Sequence, residues 1–105
     1  MNRVDCKIES LPRKLTLGRM TEKGVKEVRI DCSEWLEKWP TLRLSLWVTP
    51  PRGAAYKPTV SRSGKEVVWL INDTDTASTG HGTVEVVGEA NGVRKLSQII
   101  ETIIL

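Results

Sequence analysis

The stretch Val67–Val87, VVWLINDTDTASTGHGTVEVV, decides how this chain is read. Two valine-rich runs flank a polar segment that holds two aspartates and the sole histidine. In the first run Val67, Trp69 and Ile71 share one face of an extended chain. Val68 and Leu70 make the other face apolar as well, so this strand is expected to be covered on both sides. Between the runs, aspartate and threonine at 73–76 are residues that close turns by bonding nearby backbone amides. Gly80 and Gly82 let the backbone bend into the second run. The pattern is strand, polar crossing, strand.

The crossing also invites chemical readings, and each fails on spacing. A calcium loop of the hand type needs glycine at its sixth position and glutamate at its twelfth. Counted from Asp73, those places hold Ser78 and Val84. A dinucleotide fingerprint needs a third glycine and a following helix, but Glu85 stands in that place and a strand follows. His81 is alone, so no multi-histidine metal site exists. A triad of Ser78, His81 and Asp75 would have to come from adjacent loop residues, without a nucleophile elbow. Glu34 and Glu37 sit three apart on a short helical turn, where a solvated face is expected rather than an acid/base pair. No enzyme, metal or cofactor is expected.

Outward from this stretch the same alternation recurs. In VKEVRIDC, Val28, Ile30 and Cys32 face one way, against Glu27, Arg29 and Asp31. SEWLEKWP breaks the period: Ser33 is expected to cap one helical turn near 33–38, Pro40 to end it, and Trp35 or Leu36 to fold back onto the core. In LRLSLWV, Leu42, Leu44, Leu46 and Val48 line one face, and Trp47 the other. TPPRGAA ends that strand, and YKPTV, SRSGK and EVVWLIN read as strand, turn, strand. Asn91-Gly92 signals a type I′ hairpin. The tail KLSQIIETIIL fits a strand with Leu96, Ile100 and Ile104 on one face, or a C-terminal helix by its spacing; strand is preferred for its β-branched content. Val4, Cys6 and Ile8 alternate near the start, and LTLG is a further strand candidate.

These elements imply one antiparallel β-sandwich over residues 1–105, immunoglobulin-like or jelly-roll-like, with about seven or eight short strands. Residues 1–24 read as an N-terminal strand or arm. The charge balance is mild, at +3 overall, with eight basic against four acidic residues in positions 1–29. Basic and acidic side chains alternate there, unlike the clustered face of a nucleic-acid binder. No apolar run reaches the roughly 18 to 20 residues of a membrane span, and none resembles a signal peptide. Cys6 and Cys32 are therefore expected as reduced, partly buried thiols.

The order of these blocks is similar to a known family. Asp31 to Trp35, Pro51, Tyr56 to Pro58, Trp69, the Asp75-Thr76 pair, and Gly80 with Gly82 leading into the Glu85 strand together resemble the N-terminal domain of the phage baseplate upper protein. Related minor tail structural proteins occur in phages and prophages of Gram-positive bacteria. The resemblance spans roughly residues 25–105. It implies a structural, non-enzymatic β-sandwich that binds other tail or baseplate proteins, or itself as a homo-oligomer, in a virion assembled in the host cytoplasm. Trp35, Trp69, Asp75, Gly80 and Gly82 would be structural. The expected partner-binding residues are Trp47, Trp39, Tyr56, and Ile103 and Leu105 of the apolar tail. The competing reading is a carbohydrate-binding module in which Trp47, Trp39 and Tyr56 form a sugar platform; a small hydrolase ranks last.

Overall fold

A computed structural model describes residues 2–105. Nine strands and one helix follow in the order β1 (Asn2–Lys7), β2 (Lys14–Gly18), β3 (Lys26–Asp31), α1 (Ser33–Lys38), β4 (Arg43–Thr49), β5 (Ser61–Ser63), β6 (Glu66–Leu70), β7 (Gly80–Ala90), β8 (Val93–Leu96) and β9 (Ile100–Ile104). They form two sheets packed face to face. The first has the order β1-β3-β6-β5; the second has β2-β9-β7-β4, with β8 also on β7. With β2 counted as an extra early strand, the strand order matches the A-B-E-D and C-F-G order of an immunoglobulin sandwich, but β1 runs parallel to β3 where that fold has an antiparallel pair.

The alternating runs become strands because each places its apolar set between the sheets. Val28, Ile30, Val67, Trp69 and Ile71 from the first sheet meet Leu17, Leu46, Val48, Val84, Val86 and Ile100 from the second, all nearly fully buried. α1 closes one end of the sandwich, burying both Trp35 and Leu36. Ser33 does not cap it. Ser33 is the first helical residue, and Asp31 Oδ1 accepts hydrogen bonds from the Ser33 N–H (2.9 Å) and from its hydroxyl. Those two bonds hold the Asp31 carboxyl below its usual range.

Five of the strand pairs are antiparallel, while β1–β3 and β2–β9 are parallel. A parallel pair needs a crossover connection, and β2, lying in the opposite sheet, supplies the one between β1 and β3. The expected strand through YKPTV is not formed. Tyr56 alone pairs with Val48, and the chain then crosses from one sheet edge to the other, with Pro58 unable to donate to a ladder. β6 is not covered on both sides either. Leu70 is 46% exposed, because the outward face of the first sheet carries side chains to solvent. That face is laced with charge: Arg29 lies 3.1 Å from Glu27 and 3.4 Å from Glu66, and Arg3 lies 2.9 Å from Asp5.

The Asn91-Gly92 turn joins Ala90 to its partner Val93, but it is not type I′. Gly92 has φ +72°, and Asn91 is not in the left-handed region, whereas type I′ requires both. The tail is extended as expected, in two arms. β8 and β9 run along the same edge of β7 with one residue too many between them. Leu96 and Ile100 are four apart, while their partners Val87 and Val84 are three apart. This bulge reverses the faces. Ile100 and Ile104 point into the core, but Leu96 points outward and is 48% exposed.

Candidate functional site

The crossing between β6 and β7, residues 71–79, is a structural hub. Asp75 is 4% exposed. Its Oδ1 accepts from the Tyr56 hydroxyl at 2.6 Å, and its Oδ2 accepts from Trp69 Nε1 at 3.2 Å and from the Asn72 N–H at 3.0 Å. Burial, with the Asp75 carboxylate beside it, raises the Tyr56 phenol well above its ordinary range. Thr76, fully buried, donates from Oγ1 to the Glu22 carbonyl at 2.7 Å and accepts the Thr21 N–H at its own carbonyl. One carboxylate thus ties the end of β6, the crossing and the segment that covers the edge of β4. Asp73, by contrast, is exposed and only 4.0 Å from Lys23. Among the described residues no group of three His, Cys, Asp or Glu is placed to hold a metal.

Gly82 is set by close approach. A Cβ there would fall inside van der Waals contact of the Thr49 carbonyl and 3.1 Å from Thr102 Oγ1, where the chain leaving β4 crosses over it. Gly80 has φ +124° and faces Pro51. Gly88, which sequence reasoning missed, lies under Trp35 and Leu42, with 3.3 Å and 3.1 Å from its absent Cβ to their side chains. Only knowledge of what packs across the sandwich would have singled it out. Both cysteines are free and buried. Desolvation pushes the Cys32 thiol up to about 12 and raises Cys6.

The aromatic candidates do not come together. Tyr56 pairs with Val48, an inward-facing residue, whereas Trp47 is one position away on the outward face. Tyr56 is half-buried, with its hydroxyl committed to Asp75. Trp39, also half-buried, packs against the core at the end of α1, with Lys38 Nζ 6.0 Å from its ring. These three rings form no common platform. Trp47 does reach the surface, 37% exposed, and so does Leu105 at 65%. Ile103 is half-buried on the outward face of β9, between Thr16 of β2 and His81 of β7.

The outward face of the second sheet carries an open groove of about 1210 Å³. Its floor is a single row across four strands. Lys14 lies beside Glu101, Glu101 beside Thr83, and Thr83 beside Thr49. Pro12, Pro50 and Ile99 form its walls, and His81 and Gly82 line one end. His81 Nδ1 lies 2.8 Å from Glu101 Oε1, so the histidine is committed to a glutamate rather than to Asp75. The β8–β9 bulge leaves Ile99 62% exposed. Apart from His81 and Gly82, none of the groove residues was named as a site from the sequence, because they come from widely separated strands and loops. Sequence comparison matches the chain to no protein-family model and to no curated protein.

Proposed function

We propose that this chain is a structural protein of a phage or prophage virion, an assembly domain of the tail or baseplate that binds other tail proteins or further copies of itself. The reading is non-catalytic and places the working form in a particle assembled in a bacterial cytoplasm. One observation supports it above the rest. The residues that carry the resemblance hold the fold: Trp35 and Trp69 in the core, Tyr56 and Asp75 in the hub, Gly80 and Gly82 at close approaches. The accessible surface offers open apolar side chains instead, including Trp47, Leu96, Ile99 and Leu105. Of these, Ile99 lines the groove on the second sheet, where an apolar surface rimmed by polar residues suits a protein partner.

The sugar-platform alternative loses its geometry, since Trp47 and Tyr56 face opposite ways. The assembly reading is tested by the genes flanking its own and by co-purification with their products. A tail-module context and a stable complex are expected. A strictly monomeric chain among unrelated genes would overturn it.

A further inference from the structure

We infer that the groove on the outward face of the second sheet takes an acidic, aliphatic peptide segment of another protein. Three features of the groove point to that chemistry. First, the bulge between β8 and β9 aims Ile99 out of the core and onto the groove wall, where it is 62% exposed. Bulges commonly re-aim a side chain beside a functional surface. Together with Pro12 and Pro50, Ile99 gives the groove an apolar lining for aliphatic side chains.

Second, the charges on the lip are unequal in their commitments. Glu101 is held by His81 at 2.8 Å, while Arg13 and Lys14 form no ion pair among the described residues. An incoming carboxylate meets two free cations, and an incoming ammonium meets a glutamate already engaged. Third, Thr83 of β7 and Thr49 of β4 stand on the floor at the end away from Lys14, where their hydroxyls can bond a peptide backbone. No aromatic ring other than the imidazole lines the groove, and sugar faces are usually held by stacked aromatic rings, so a peptide fits better than a glycan. Four strands at roughly 4.8 Å spacing make the row about 14 Å long, the reach of some four or five extended residues.

The inference takes its setting from the assembly reading, but its chemistry stands apart. The test is titration of a labelled heptapeptide of alternating glutamate and leucine, and of its lysine counterpart, into isotope-labelled protein, followed by amide chemical shifts. The acidic peptide should shift Ile99, Glu101, Thr83 and His81, and bind roughly tenfold more tightly than the lysine peptide, as two exposed charge contacts allow. Ile99→Asp and the double variant Arg13→Glu, Lys14→Glu should each abolish the difference without changing the melting temperature, since all three side chains are exposed. Equal binding of both peptides, shifts confined to other surfaces, or self-association through the same residues without peptide would overturn the proposal. A chain that assembles with a tail protein regardless of Ile99→Asp would refute the groove and spare the assembly reading. A chain that binds the acidic peptide but no tail protein would do the reverse.

Discussion

Asp75→Ala should be among the most damaging single changes in the crossing. The substitution removes an acceptor from three donors at 2.6, 3.0 and 3.2 Å. It leaves Trp69 Nε1 stranded in a side chain only 1% exposed. Hydrogen bonds to a charged group contribute about 1.5–3 kcal/mol each, and a buried donor left unpaired costs about 1–3 kcal/mol. The three bonds share one carboxylate and are not additive, so about 3–5 kcal/mol in all is expected. At roughly 4–8 °C per kcal/mol for a domain of this size, the melting temperature should fall by about 12–40 °C. Urea and thermal unfolding followed by tryptophan fluorescence report it, and Trp69 is itself one of the reporters. Asp73→Ala is the control, because its exposed carboxylate makes only a 4.0 Å contact with Lys23, and such surface changes stay within about 0.5 kcal/mol. If the two variants melt together, Asp75 is not the hub that its geometry describes.

Other expectations follow from the same geometry. The Tyr56 phenol is raised above its ordinary value of 10.0, so the fold favours its protonated form. That contribution is complete below pH 10 and lost as pH climbs toward the folded-state value. Stability measured by urea titration should therefore fall above pH 10, and less steeply in Tyr56→Phe; identical slopes would refute the assignment. Gly82→Ala should cost about 2–3 kcal/mol, because its Cβ meets backbone at Thr49, whereas Gly88→Ala meets the movable ends of Leu42 and Trp35 and should cost about 1 kcal/mol or less. Equal melting temperatures for these two variants would contradict the close approach at Gly82.

Alternation was the most legible signal in the sequence. Val28, Ile30 and Cys32, and Leu42 through Val48, declared their inward faces because a half-buried strand repeats every two residues. The turn residues from 73 to 76 were legible as turn-makers, but Asp75 as a hub depended on Tyr56, nineteen residues earlier, and on Trp69. The bulge at 97–99 had no local sign. It contains no glycine or proline, and it exists only as a mismatch of spacing against β7. That mismatch put Leu96 on the wrong face of the expected strand. The parallel pairing of β1 with β3 was equally hidden, since nothing in either strand distinguishes a parallel neighbour. The groove was beyond local reading for the same reason: Arg13, Lys14, Thr49, Thr83, Ile99 and Glu101 become neighbours only when four strands are set in register.

An assembly role is tested most directly by co-expressing the chain with the products of its flanking genes and measuring mass by light scattering after size-exclusion chromatography. The prediction is a stoichiometric complex with a tail component, or a discrete oligomer of the chain, that survives purification. A chain that elutes as a monomer beside every such product would contradict it.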